Sequence, residues 1–118
     1  MKPLALIIED NQDQNLVFTT ALKQAGFETE SILEGETAEE RLKEIVPNLI
    51  VLDLHIPGVH GEKLLRQIRS DQRLKNVRVM LATADASLAQ NLQSQADLVL
   101  LKPISYSQLT TLANRLRT

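Results

Sequence analysis

The 118-residue sequence predicts an α/β protein, a parallel sheet with helices on both of its faces. Three observations carry that expectation. Short, nearly continuous apolar runs recur at 4–8, 49–52, 79–82 and 98–101; they are too short for helices and suit strands buried on both faces. Between them lie longer segments with helical spacing and recognisable ends. The length suits one hydrophobic core and leaves no room for a second independently folding domain.

In chain order, the strand at 4–8 is followed by a helix expected over 14–25, with Val17, Ala21, Leu22 and Ala25 as its apolar stripe and Gly26 as its stop. Residues 28–33, Glu-Thr-Glu-Ser-Ile-Leu, are more polar than the other runs and suit a sheet edge. The second helix is expected to open on Thr37-Ala38-Glu39-Glu40, a capping-box match, to bury Ala38, Leu42 and Ile45, and to end at Pro47. After the strand at 49–52, a third helix carries Leu64, Leu65 and Ile68 beyond Gly61. The strand at 79–82 leads to a fourth helical segment with Leu88, Ala89, Leu92 and Ala96, in which residues 86–96 include no Asp, Glu, Lys or Arg. The last strand, 98–101, precedes a helix that opens on Ser105-Tyr106-Ser107-Gln108, a second capping-box match. That helix continues with Leu109, Leu112, Ala113 and Leu116 at i, i+3, i+4 and i+7. Five βα units in succession imply right-handed crossovers, with helices on both sides of the sheet.

Composition narrows the function. With 43% hydrophobic and 24% charged residues the chain is an ordinary globular one. A net charge of -2 argues against direct nucleic-acid binding by bulk electrostatics, and 3% aromatic residues argue against base-stacking platforms. The absence of cysteine excludes disulfides, thiolate metal sites and thiol nucleophiles, and fits the expected cytoplasmic location. No run approaches the roughly 18 apolar residues of a membrane span. The first apolar run ends on Glu9 and Asp10 rather than on a small-residue cleavage site. The absence of glycine between Glu9 and Gln14 excludes a dinucleotide-binding turn.

Open parallel sheets bind ligands beyond the carboxyl ends of their strands, so the residues ending each apolar run are the informative ones. These are Glu9 and Asp10 after the first run, Asp53 at the end of the third, Thr83 after the fourth and Lys102 after the fifth; Glu34 follows the edge segment and lies away from the switch point. Three carboxylates gathered at one rim repel each other at a cost on the order of 1 kcal/mol per pair even where solvent penetrates. A hard divalent cation relieves that repulsion, and Mg²⁺ takes one or two carboxylates together with phosphate oxygens. Lys102 and Thr83 supply an ammonium and a hydroxyl suited to a phosphoryl oxygen. A carboxylate beside a metal and a lysine is also a plausible nucleophile, since aspartyl-phosphate is a known covalent intermediate. Each acidic residue alone reads more readily as a solvated loop residue than as a site residue; for Glu9 and Asp10, helix N-terminal charge compensation competes. Joint placement favours a site.

Four motifs then carry a resemblance over the whole chain: Leu6-Ile7-Ile8-Glu9-Asp10-Asn11, the stretch from Val51-Leu52-Asp53-Leu54-His55-Ile56 through Pro57-Gly58-Val59-His60-Gly61, Met80-Leu81-Ala82-Thr83-Ala84, and Leu100-Leu101-Lys102-Pro103. Together they resemble the receiver domain of two-component response regulators. The resemblance implies a flavodoxin-like fold of five βα units, with strand order 2-1-3-4-5 and residues 1–118 as one receiver domain. It implies that Asp53 accepts a phosphoryl group from a histidine kinase or histidine phosphotransfer protein. Asp10 would ligate Mg²⁺ directly and Glu9 mostly through water, with Asp53 and the His55 backbone carbonyl completing the protein's ligands. The N–H groups of His55 and Ala84 would face the phosphoryl group, Thr83 would move to bond it, and Lys102 would pair with another of its oxygens. Pro103 would follow a cis peptide. The module would assist its own phosphorylation and dephosphorylation without being a turnover enzyme, and would pass its state to an output domain or protein.

Departures from the family pattern are also legible. Val99 stands three residues before the lysine, where receivers commonly place an aromatic that swings inward with the threonine; a β-branched valine has little to swing, which leaves that coupling open. His55 and Asp85 occupy the positions two beyond Asp53 and Thr83 that tune phosphoryl lifetime, in a direction the sequence does not give. The rings of His55 and His60 are read as loop side chains rather than metal ligands. The charge-free fourth helix disfavours dimers built on charged pairs, so a monomer or weak homodimer is expected. A phosphorylation-independent pseudo-receiver is the alternative reading, kept open by Val99. An aspartyl-nucleophile phosphatase is disfavoured because His55 stands where such enzymes place a second acid.

Overall fold

The computed structural model describes residues 2–56, 58 and 60–117, together with all their side chains but those of Leu116 and Arg117. Pro57 and Val59 of the loop motif, and the side chain of Leu116 in the last apolar stripe, therefore lie outside the described residues. Five strands, β1 (Leu4–Ile8), β2 (Glu28–Ile32), β3 (Leu49–Asp53), β4 (Arg78–Thr83) and β5 (Leu98–Leu101), alternate with five helices, α1 (Gln12–Gln24), α2 (Gly35–Glu44), α3 (Gly61–Ser70), α4 (Ala86–Leu92) and α5 (Tyr106–Arg117). The sheet is wholly parallel, in the order β2-β1-β3-β4-β5, the flavodoxin-like arrangement expected from the sequence. Among the described residues no helix is long and apolar enough to cross a membrane.

The three central strands are buried on both faces, which is why they show no polar alternation. Leu6, Ile8, Ile50, Leu52, Val79 and Leu81 join the cluster that includes Leu42 of α2, Leu64, Leu65 and Ile68 of α3 and Leu92 of α4. Ala5, Ile7, Leu49, Val51, Met80 and Ala82 face the opposite cluster, with Phe18, Ala21 and Leu22 of α1 and Leu109 and Ala113 of α5. The polar β2 lies at one edge, as its composition predicts. At the other edge β5 is less buried than its apolar run suggests: only Leu100 is fully covered, and Leu101 is 51% exposed.

Four local expectations are corrected. The inner face of α1 is built on Asn15, Phe18, Ala21 and Leu22, while Val17 is exposed; at about 100° per residue Val17 is turned a full step away from Phe18. The helix also starts earlier, under Asn11, whose Oδ1 accepts from Gln14 N–H at 2.9 Å. The second helix opens at Gly35 under Glu34, with Ala38 N–H already bonded to Glu34 O, so Thr37 lies inside the first turn and its capping box does not form. α4 ends at Leu92 and tightens into a 3-10 turn over Gln93–Gln95, which leaves Ala96 extended and outside the helix. The cap at Ser105 forms as expected, its Oγ accepting from Gln108 N–H at 3.1 Å.

One close approach fixes the height of α3 against the sheet. A Cβ on Gly61 would lie 2.5 Å from Leu54 Cα and 2.8 Å from the carbonyl oxygens of Asp53 and Leu54. All three are backbone atoms, which cannot rotate aside. Gly61→Ala is expected to push α3 off the end of β3 and to cost about 1–3 kcal/mol of stability, read as a lower urea midpoint at unchanged slope.

Candidate functional site

The carboxyl ends of β1, β3, β4 and β5 bring the singled-out residues to one rim. Glu9 directly follows β1. Its N–H continues the pairing with β2 by donating to Ile32 O at 3.0 Å, and its side chain is 1% exposed. Asp53 is the last residue of β3 and is buried, whereas Asp10 is exposed at the mouth. A carboxylate oxygen from each of Glu9, Asp10 and Asp53 lies within 4.8 Å of the others.

Lys102 spans this cluster. Its Nζ donates to Glu9 Oε1 at 2.7 Å and to Asp53 Oδ2 at 3.3 Å, while its backbone N–H extends the β4–β5 ladder by donating to Thr83 O at 2.8 Å. The Lys102–Pro103 peptide bond is cis. The other Asp53 oxygen, Oδ1, accepts from His55 N–H at 3.0 Å, and the His55 side chain is exposed. Glu9 Oε2 accepts from Asn11 N–H at 3.2 Å.

Thr83, fully buried at the end of β4, turns its hydroxyl toward the start of α4: Oγ1 accepts from Asp85 N–H at 3.0 Å, and Asp85 in turn caps the helix by accepting from Leu88 N–H at 3.0 Å. Ala84, between them, is exposed. Val99 pairs with Leu81 across the β4–β5 ladder and packs, half-buried, on the cluster shared with α2, α3 and α4. Glu34 stands at the N-cap position of α2 without a side-chain cap bond, and His60 is exposed at the start of α3.

Two residues that sequence reasoning passed over belong to the same region. Asn11 both caps α1 and donates to Glu9, and its position just before a helical stripe was a readable capping signal. Asn15 is buried under the end of β1; its spacing with Phe18 and Leu22 placed it on the inner face, where a polar residue demands a partner.

Electrostatics follow from burial and proximity. Burial, with Asp53 facing it, pushes the Glu9 carboxyl up to about 7, against the pull of Lys102 and of Asn11 N–H. Burial works against the charge on Lys102, but the bonds and charges of Glu9 and Asp53 outweigh it and hold its pKa above the usual lysine value. The cluster is thus acidic, hard-oxygen in chemistry, open at Asp10 and partly neutralised by one ammonium. Those donors fit a small hard cation such as Mg²⁺.

Comparison with known proteins gives the family and the fold. Residues 5–114 match the family model of the response regulator receiver domain. The phosphate regulon transcriptional regulatory protein PhoB of Rhizobium meliloti (strain 1021) is 32% identical over 112 residues, covering 92% of this chain and 49% of that protein. The chain therefore spans about half the length of that relative. Among solved structures, the signal receiver domain of the putative Luxo repressor protein from Vibrio parahaemolyticus superposes with a TM-score of 0.86 at 28% identity, covering 98% of this chain and 90% of that one. The chemotaxis response regulator CheY4 of Vibrio cholerae gives 0.88 at 19% identity, covering 98% and 99%, a likeness of fold alone.

The raised Glu9 carboxyl makes a pH prediction for the metal-free protein. Between about 4.5, its unfolded value, and about 7 the folded state keeps a proton that the unfolded chain has released. Stability therefore falls as pH rises through that window. Urea unfolding in EDTA from pH 5 to pH 8 is expected to show a downward slope that is shallower in Glu9→Gln.

Proposed function

Because the chain belongs to the family of response regulator receiver domains, modules of two-component phosphorelay signalling, we propose that it accepts a phosphoryl group on Asp53 and thereby switches a protein-binding surface. The observation that carries this reading is the Lys102 ammonium bonded at once to Glu9 and Asp53 beside the exposed Asp10. It supports an acceptor carboxylate with a cation already at hand.

The donor is a phosphohistidine of a histidine kinase or a histidine phosphotransfer protein. A carboxylate oxygen of Asp53 attacks phosphorus in line. The new O–P bond forms as the P–N bond breaks, and the electron pair returns to the donor imidazole, which takes up a proton. His55 N–H and Lys102 Nζ hold the two Asp53 oxygens and so orient the nucleophile. Glu9, Asp10, Asp53 and the His55 backbone carbonyl would hold Mg²⁺, which would supply positive charge against that developing on the phosphoryl oxygens. Lys102 follows one of those oxygens as its bond to Asp53 gives way, and Ala84 N–H donates to another.

Signalling falls to Thr83. Its hydroxyl oxygen now accepts from Asp85 N–H; turning it toward a phosphoryl oxygen breaks that bond at the start of α4. The surface around α4 and β5 then shifts population toward the form that an output domain or protein recognises. Val99 has no ring to swing, so the change enters through the α4 cap. The chain acts as acceptor rather than turnover enzyme, as a monomer or weak homodimer.

Intact-mass spectrometry after incubation with acetyl phosphate tests the reading. Wild type is expected to gain one phosphoryl group in the presence of Mg²⁺ and none in EDTA, and Asp53→Asn to gain none. If wild type gains no mass and also fails to bind beryllofluoride, the acceptor role is wrong.

A further inference from the structure

We propose that Asn15 is a positioning residue for the carboxylates of Glu9 and Asp10: its buried amide holds the Glu9 backbone and so sets the affinity of the rim for a divalent cation. This rests on the reading that the rim binds Mg²⁺.

The inner face of α1 is otherwise apolar, made of Phe18, Ala21 and Leu22. A buried amide there costs stability unless it is hydrogen-bonded. Asn15 is 4% exposed, and its Nδ2 lies 3.0 Å from Glu9 O, 3.4 Å from Ile7 O and 3.5 Å from Ile32 O. Its shortest bond thus goes to the residue that carries the buried carboxylate. The last β1–β2 pair is Ile8 with Ile32, so Glu9 stands just beyond the regular ladder. Its peptide is nevertheless held on both sides, the N–H by Ile32 O at 3.0 Å and the carbonyl by Asn15.

Thr19 sets which end of the amide faces the strands. Its hydroxyl donates to Asn15 Oδ1 at 3.2 Å and lies 3.2 Å from Ser31 Oγ, which leaves Nδ2 for the carbonyls. At the other end of the turn, Asn11 N–H is bonded to Glu9 Oε2 and Asn11 Oδ1 to Gln14 N–H. Asp10, exposed and flanked by Glu9 and Asn11, is placed by these neighbours. Asn15 acts on the cation only through them.

The experiment measures the Mg²⁺ Kd by isothermal titration calorimetry, and amide hydrogen exchange in EDTA, for wild type, Asn15→Leu, Thr19→Val and Leu22→Ala. Asn15→Leu is close in size and removes the donor; it is expected to weaken Mg²⁺ binding about tenfold and to speed exchange at Glu9 and Asn11 before any metal is added. Thr19→Val is expected to do the same to a smaller extent. Leu22→Ala, on the same helix but in the apolar cluster, is expected to lower stability and leave the Mg²⁺ Kd unchanged. Wild-type Mg²⁺ affinity in both Asn15→Leu and Thr19→Val would overturn the inference, as would equal weakening in Leu22→Ala, which would reduce the effect to general destabilisation. Should Asn15→Leu fail to fold, Thr19→Val decides. Absence of Mg²⁺ binding in wild type would instead strike at the metal-site reading, and at this inference with it.

Discussion

The parallel sheet gathers three carboxylates at the ends of two adjacent strands, β1 and β3, and a single ammonium keeps that concentration of charge tolerable. Glu9 and Asp53 are both buried, in a place where an unpaired charge is costly. Lys102 reaches both at hydrogen-bond distance and is itself fixed by the backbone bond that prolongs β5 along Thr83. The strand order that sets β1 beside β3 is thus also what sets the charges together, and the ion pair ties residues 9, 53 and 102 of the chain into one local structure.

That arrangement is balanced rather than relaxed. Glu9 is held with its carboxyl up at about 7 even beside a lysine, because its burial and the facing Asp53 outweigh the ammonium it shares. On the proposed function, a cation of higher charge at Asp10, or a phosphoryl group at Asp53, would change the partner that Lys102 prefers. The hydroxyl of Thr83 is placed to register such a change, since it bonds the first residues of the α4 cap. In this account site chemistry and surface are linked by two hydrogen bonds, not by a long pathway.

Much of this was legible in the sequence, for physical reasons. The runs at Leu6 to Ile8, Ile50 to Leu52 and Val79 to Ala82 face helices on both sides, so hydropathy alone marks them, and the residues that end them fall at the rim by topology. What was not legible depends on neighbours. Val17 and Phe18 are both apolar, and only packing against the sheet selects Phe18. Thr37 matches a capping pattern, yet the helix had already begun at Gly35. The strand order places β5 at an edge, but its apolar run does not show that Leu101 is left half exposed there. The spacing of Asn15 puts it on the inner face of α1, but only the strand ends it bonds show its partners.

The most direct test of the central claim, that Lys102 is the counter-charge of the carboxylate cluster, is the Mg²⁺ affinity of Lys102→Met beside that of wild type. Removing the ammonium leaves Glu9, Asp10 and Asp53 without their protein cation, so the site should attract the metal more strongly. The account predicts several-fold tighter Mg²⁺ binding in the variant, growing as ionic strength is lowered. Unchanged or weaker binding would contradict it, and would mean that the bond from Lys102 to the two carboxylates does not set the electrostatics of the rim.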